Sequence, residues 1–403
     1  MQALFSDAVF LELAEKYGTP LYVYSGEKIE NQYRQLQQSF DCSTTRFFYA
    51  CKALTNQHIL RLIRDTGCGI DCSSINEAYM AIRAGFTPDK ILYTSNGIAF
   101  EEIEAAVALG IHINIDSLSN LEKMGARYGH DYPVGIRLRP NIMAGGNLKI
   151  STGHEQSKFG IPLEQIDEIL RIVKHHQLHI RGLHIHTGSE IKDVSVFIEG
   201  AQRMMELIEF FPELICMDLG GGFKVPYHPD ESGTDITKLG EETRLIQKAM
   251  SDRAGRSIEI WFEPGKFLVS ECGYLITRVN VLKENGTTTI AGIDSGFNHL
   301  IRPMFYDAYH HIRNISHPDA SEKSYTITGN ICETDQFASD RSLPEISEGD
   351  YLVFFNAGAY GYEMASSYNA RSKPAQVLIH RNEMRLISRR ETLDDLLHLQ
   401  ILE

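Results

Sequence analysis

No stretch of the 403-residue chain approaches the roughly 20 consecutive apolar residues of a membrane-spanning helix. Positive charge is in short supply: 39 lysines and arginines stand against 53 aspartates and glutamates, a formal net charge of −14. That balance argues against a general nucleic-acid binder, which is normally basic. Met1-Gln2-Ala3-Leu4 offers neither a basic start nor a small-residue cleavage site, so no signal peptide is expected. The seven cysteines are odd in number and scattered, which speaks against a disulfide framework. Repeats and low-complexity segments are missing, and Pro229–Thr234 and Pro318–Ser321 read as ordinary loops. Together these absences predict a soluble, cytoplasmic protein with no membrane or nucleic-acid partner.

What is present is a large apolar fraction, 43%, enough for two domains. Short apolar runs alternate with helical patterns: Arg46–Cys51, Gly67–Cys72, Lys90–Ser95, His112–Asp116, Val134–Pro140, Ile180–His186, Ile215–Gly222 and Ile258–Gly265. Between them stand helix-spaced sets such as Ile59, Leu60 and Ile63, or Ile166, Ile169, Leu170 and Val173. Eight strand–helix units in about 220 residues predict a parallel (β/α)8 barrel, with its active site at the C-terminal strand ends. An open doubly wound sheet normally carries a glycine-rich turn after its first strand. Here that strand ends in Lys52.

From about residue 271 the pattern changes. Tyr274–Leu282, Thr289–Ile293, Ser324–Gly329, Tyr351–Phe355 and Ala375–His380 follow without long helices between them, predicting a mostly antiparallel β domain. Leu21-Tyr22-Val23-Tyr24 reads as a strand that joins it. The expected division is therefore a barrel over 26–270 and a β domain from 1–25 and 271–403.

The barrel strands end in polar residues that a core does not need: Lys52, Asp71, Asp116, Arg137 with Arg139, His184 with His186, Gly220-Gly221-Gly222, and Glu263. A single lysine is most simply a surface residue whose stem lies on apolar neighbours. A desolvated one becomes a nucleophile toward carbonyls. Seven strand ends at one barrel mouth favour the chemical reading. A glycine triplet alone is usually a turn. After the seventh strand, with Glu263-Pro264-Gly265 after the eighth, it suits a phosphate-bearing ligand. Cys68 and Cys72 lack a second pair of metal ligands nearby and read as buried thiols.

The motifs Tyr49-Ala50-Cys51-Lys52-Ala53, His184-Ile185-His186-Thr187-Gly188-Ser189, Asp218-Leu219-Gly220-Gly221-Gly222-Phe223 and Glu263-Pro264-Gly265-Lys266 resemble the fold-type III pyridoxal-phosphate decarboxylases. Arg302-Pro303-Met304-Phe305-Tyr306-Asp307, Ile331-Cys332-Glu333-Thr334, Gly358-Ala359-Tyr360-Gly361 and Met364-Ala365-Ser366-Ser367-Tyr368-Asn369 resemble the diaminopimelate decarboxylases among them. The resemblance spans essentially the whole chain, in order. It implies an alanine-racemase-like barrel, pyridoxal 5'-phosphate as cofactor, and a homodimer with shared active sites. The implied reaction is loss of CO2 from meso-2,6-diaminopimelate to give L-lysine, the last step of lysine biosynthesis.

The resemblance also implies roles. Lys52 holds the cofactor covalently, Glu263 pairs with the pyridine nitrogen, and His186 stacks on the ring. Ser189, Gly220, Gly221, Gly222 and Gly265 form the phosphate site, and Asp71 and Arg137 lie near Lys52 and the ring hydroxyl. Tyr360 is a cofactor or substrate contact from the β domain, and Cys332 is the proton donor. Glu333 binds the distal ammonium, and Arg302 with Tyr306 the distal carboxylate. Simple diamino acids lack that carboxylate and would leave Arg302 unpaired. Two positions depart from the family pattern: Lys266 replaces an arginine, and Asn330 a proline. Lys266 keeps a cation for a substrate or phosphate anion but loses the arginine fork. His310 and His311 are expected to pack, and Lys158-Phe159-Gly160 belong to a candidate loop over the site within 140–161. Competing readings are a decarboxylase of ornithine, arginine or carboxynorspermidine, a non-catalytic cofactor binder, and an alanine racemase.

Overall fold

The computed structural model describes residues 2–140, 157–286 and 288–401. The chain divides into two units, Glu30–Val225 with Ser232–Leu268, and Met1–Ile29 with Pro226–Glu231 and Val269–Glu403. The first strand, β1 (Leu21–Ser25), lies in the second of these.

The other unit is a parallel barrel. Its strands are β2 (Thr45–Ala50), β3 (Gly69–Cys72), β4 (Ile91–Thr94), β5 (His112–Ile115), β6 (Val134–Arg139), β7 (Ile161–Pro162), β8 (Ile180–Ile185), β9 (Cys216–Asp218) and β10 (Glu259–Phe262). Neighbours run β5-β4-β3-β2-β10-β9-β8-β6, and pairing of β5 with β6 closes the ring. The eight expected staves are all there. The ladders are shorter than the apolar runs suggest, because the chain turns out of the sheet before Lys52, the glycine triplet and Glu263. The two-residue β7, paired with β6, has no signature in the sequence.

Several crossover helices start on a capped turn close behind a strand. Side chains of Asn56, Ser74 and Ser117 accept backbone N–H groups at the starts of Gln57–Asp65, Ile75–Ala84 and Leu118–Tyr128. The helix after β2 then buries Ile59, Leu60, Leu62 and Ile63 on one face.

Alternate residues along each stave face the barrel interior. One level is apolar, where Phe48, Leu92, Cys216 and Trp261 pack together. Glycines make room beside them: a Cβ at Gly69 would sit 2.6 Å from the Phe48 ring, and one at Gly182 3.0 Å from Cys216 Sγ. Toward the C-terminal ends the inward positions turn polar: Asp71, Asn114, Arg137, His184, Asp218 and, one residue past β10, Glu263, all buried. The change from apolar to polar marks the floor of a cavity-facing layer.

The second unit is built on β11 (Gly273–Asn285), β12 (Thr288–Ile293), β13 (Ile312–Asn314), β14 (Glu322–Thr328), β15 (Gln336–Pro344), β16 (Tyr351–Phe354), β17 (Ala375–His380) and β18 (Glu383–Ser388). The strand order is β15-β14-β12-β11-β1-β17-β18, with β16 against β11 and β13. β1–β17 and β12–β14 are parallel, and the other described pairings are antiparallel. Phe10, Leu13 and Ala14 of the helix Asp7–Tyr17 pack with Leu21, Val23, Tyr274, Val353 and Val377 into one core. β13, β15 and β18 are absent from the strand reading of the sequence. β18 is an exposed edge strand, and β15 at the opposite edge mixes buried with exposed positions, so neither needs a regular apolar alternation.

Candidate active site

Register brings the polar strand ends together. Arg137 on β6 lies level with His184 on β8, and His184 with Asp218 on β9. Glu263 is the hub: His184 Nε2 lies 3.1 Å from its Oε1, and Thr94 Oγ1 donates to the same oxygen at 3.3 Å. Asn114 Nδ2 in turn donates to Thr94 Oγ1 at 3.0 Å. Asp218 Oδ1 accepts the Gly220 N–H at 2.8 Å.

Three carboxyls share this buried space. Burial, then the charge of Glu263, pushes Asp71 and Asp218 well above the usual carboxylate range. Burial acts on Glu263 in the same sense, but contact with His184 and the Lys52 charge outweigh it and hold that carboxyl well below the usual range. The negative charge of the cluster therefore resides on Glu263. Burial lowers His184 and favours its neutral form, with Nε2 lying against the Glu263 carboxylate. Burial and then Arg137 bring His186 down to about 3, so its imidazole is neutral as well. His184, Asp218 and Glu263 could in shape ligate a metal ion. With Lys52 and Arg137 acting on the same carboxylates, the local positive charge is already supplied.

Lys52 stands in a single 3-10 turn, Cys51–Ala53, just past β2. Its side chain is 45% exposed, and Nζ lies 3.8 Å from Asp71 Oδ2. The sequence argument rested on desolvation, and the geometry replaces it with a half-open amine beside a buried acid. Both carboxyl oxygens of Asp71 lack a hydrogen-bond partner.

The loops after β8, β9 and β10 are tied to one another through their backbones. Glu263 N–H donates to Gly220 O at 2.9 Å and Ile191 N–H to Gly222 O at 2.9 Å, while Gly221 N–H meets His186 Nδ1 at 3.2 Å. A Cβ at Gly221 would lie 2.1 Å from Glu263 O, and one at Gly222 2.1 Å from Gly188 O. Only glycine permits this approach, and at Gly222 the φ of +98° adds to the demand. Ser189 stands half-buried in the first of these loops. Gly265 precedes the short helix Lys266–Val269 and packs on Ala50. Lys266, assigned by resemblance to an anion, forms an ion pair with Glu190 beside Ser189.

Phe159 presents its ring to the Arg137 guanidinium, 4.7 Å from the centroid. Of the candidate loop over 140–161, residues 141–156 lie outside the described residues.

In the second unit, Arg302 opens the helix Arg302–Tyr306 and is buried, its Nε without a hydrogen-bond partner. Its guanidinium lies 4.9 Å from the ring centroid of Tyr227 and 5.9 Å from that of Tyr306. Cys332 and Glu333 are both exposed. The Cys332 N–H donates to Asn369 Oδ1 at 2.8 Å, and Tyr368 Oη donates to Glu333 Oε1 at 2.8 Å. Tyr360 is half-buried with φ of +55°. His310 is buried, its Nδ1 2.8 Å from Phe355 O. Cys68 and Cys72 are buried free thiols.

Sequence reasoning did not put Thr94, Asn114, Asp218, Glu190, Tyr227 or Tyr368 in the site. Period-2 counting inward from the strand ends would have found the first three. The others depend on contacts distant in sequence, which one sequence does not signal.

The family described as pyridoxal-dependent decarboxylase, pyridoxal binding domain, matches residues 26–270. The diaminopimelate decarboxylase of Methanothermobacter thermautotrophicus is 39% identical over 402 residues, covering 97% of this chain and 93% of that one. That of Aquifex aeolicus is 34% identical, covering 97% and 94%. The crystal structure of diaminopimelate decarboxylase from Helicobacter pylori complexed with L-lysine superposes with a TM-score of 0.89 at 33% identity, covering 97% and 99%. With a matching family over most of the barrel and relatives along nearly its full length, the chain belongs to the diaminopimelate decarboxylases, within the pyridoxal-dependent decarboxylase family.

Proposed function

We propose that this chain removes CO2 from the D-configured centre of meso-2,6-diaminopimelate, with pyridoxal 5'-phosphate as cofactor, and releases L-lysine. The observation that carries the reading is an amine, Lys52, standing beside buried Asp71, with its charge also acting on a buried, ionised Glu263 at the C-terminal ends of the same barrel. The residues fit the cofactor. Asp71 keeps two buried oxygens without hydrogen-bond partners near Lys52, and the glycines of the loops after β8 and β9 leave side-chain-free backbone where a phosphate could approach. When bound, pyridoxal phosphate supplies the electron sink into which the Cα–carboxylate bonding pair flows.

The chain's own residues do the rest. Lys52 Nζ would hold the cofactor, and Asp71 beside it would be its proton partner. Ionised Glu263 holds a proton on the pyridine nitrogen, and His184 with Thr94 fixes the orientation of that carboxylate. Neutral His186 offers a flat, uncharged face to the ring. Ser189 and Gly220 to Gly222 receive the phosphate. Cys332 delivers the proton to Cα after CO2 leaves. Glu333, oriented by Tyr368, takes the distal ammonium. Arg302 and Tyr306 take the distal carboxylate, and the unpartnered Arg302 Nε supports that role. Tyr360 contacts cofactor or substrate. Cys332 and Glu333 are exposed on their own unit, as residues offered to a second copy must be, so the functional species is a homodimer with shared sites. The seven free thiols suit a reducing cytoplasm.

Purified protein supplied with pyridoxal phosphate should release CO2 from meso-diaminopimelate and form L-lysine, with far less release from ornithine, lysine or the all-L isomer. Preference for ornithine would overturn the substrate assignment. Lys52→Ala should abolish the visible absorbance of the bound cofactor, and survival of that band would remove Lys52 from its role.

A further inference from the structure

At the N-terminal end of the barrel, three side chains from three neighbouring staves converge. His130 stands in the turn between the helix Leu118–Tyr128 and β6, His179 immediately precedes β8, and Glu213 lies just before β9. The entries to these strands are fixed by backbone hydrogen bonds, Val134 N–H to His179 O at 3.0 Å and Ile215 N–H to Arg181 O at 2.8 Å. The two imidazoles stack, with centroids 5.0 Å apart and planes 17° from parallel. His130 Nε2 lies 3.4 Å from Glu213 Oε1, and His179 Nε2 lies 3.8 Å from Oε2. All three donor atoms fall within 4.8 Å of one another.

These distances decide between two readings. A charge-assisted hydrogen bond from imidazole to carboxylate closes to about 2.7–2.9 Å, whereas the His130–Glu213 hydrogen bond is long at 3.4 Å and His179 stands off at 3.8 Å. Donors around a tetrahedral zinc ion, at about 2.0–2.2 Å from the metal, stand about 3.3 Å apart. The His130–Glu213 spacing already matches; the stacked rings must swing out of parallel for both to face one ion, a rotation open to side chains that are 61%, 26% and 46% exposed. Two imidazoles and one carboxylate are a zinc ligand set with a position left for water. Nitrogen donors favour zinc, nickel or copper over calcium or magnesium, which take oxygen ligands.

We infer that His130, His179 and Glu213 form a binding site for a zinc-class divalent cation that ties together the entries of β6, β8 and β9. The site lies at the end of the barrel opposite the strand ends that carry Lys52 and Glu263. A bound ion there takes no part in the chemistry and stabilises the barrel by binding the folded state.

Calorimetric titration of the holoenzyme with zinc chloride tests this in the wild type, His130→Ala, His179→Ala and Glu213→Gln. Cys42 and Cys332 are exposed thiols that also take zinc, so the reading is the difference between proteins rather than the total. The wild type should bind one equivalent more than either histidine variant, and Glu213→Gln should bind it at least tenfold more weakly. At saturating zinc the wild-type Tm should rise by about 2–4 °C, with no such rise in the histidine variants. Decarboxylation without added zinc should be unchanged in His130→Ala. Equal zinc uptake by the wild type and both histidine variants would overturn the site. Specific uptake with an unmoved Tm would overturn the stabilising role.

Discussion

Lys266 and Glu190 neutralise each other beside Ser189, although the family pattern places an arginine at the lysine's position. The pair joins the loop after β8 to the short helix after Glu263, so its first effect is on the shape of the phosphate loops. Lys266→Met should therefore weaken cofactor retention about tenfold, roughly the worth of one partly buried charge-assisted contact, while changing the KM for substrate little. Dialysis followed by absorbance of the remaining cofactor checks the first claim and initial rates the second. A large rise in KM with full cofactor retention would return Lys266 to the substrate. The same neighbourhood shows what one sequence can disclose. Lys52 and Glu263 were legible as charges at the ends of apolar runs. Glu190 was not, because its partner lies 76 positions away and nothing local marks it. The half-open setting of Lys52 was also illegible, since an apolar run does not reveal where its last residues leave the ladder.

At the level of elements, the site rests on loops rather than on strands. β9 has three residues, and the glycine triplet leaves it to run against the backbones of the loops after β8 and β10. Gly221→Ala would drive a methyl group into the Glu263 carbonyl, a backbone atom that cannot swing aside. The expected cost is about 1–3 kcal/mol of stability. Loss of cofactor should accompany it, because Glu263 moves with the displaced loop. Thermal melting and cofactor absorbance together check this, and a variant that keeps both would remove the close approach from the account. The barrel staves were legible because buried parallel strands read as continuous apolar runs between capped helices. The edge strands β15 and β18 were not, since their exposed positions carry residues that any loop might carry.

For the whole molecule, two outcomes follow from charge and from pairing. His310 is buried, and burial with the nearby Arg302 charge lowers it to about 3, against about 6.5 in an unfolded chain. Between those values the unfolded chain binds the extra proton, so stability is complete above about pH 6.5 and is lost as pH falls. From pH 6.5 to 5 this one residue accounts for about 2 kcal/mol. His310→Gln should make the urea-unfolding midpoint less steep in pH over that interval, the other lowered histidines keeping the rest of the slope, and an unchanged slope would show that the histidine is not buried neutral. The proposed sharing of sites between two copies predicts complementation. Lys52→Ala and Cys332→Ala should each be inactive, yet mixing them under exchange should restore about a quarter of wild-type activity, since half the random dimers hold one intact site of two. No recovery would place both residues in a single chain's site.

The position of β1 has a consequence for how this protein is made. It is synthesised before the barrel, yet its partners β11 and β17 are synthesised after it: Val23 pairs with Tyr274 on one side and Val377 on the other. Elongation at about 5–20 residues per second leaves Leu21-Tyr22-Val23-Tyr24 waiting about 12–50 s for the first partner. During that time a wholly apolar strand is available to any other nascent edge. Chains stalled after the barrel is complete should thus be the aggregating species, and a chaperone that holds the segment around β1 should raise the yield of folded protein more than one that acts on the finished chain.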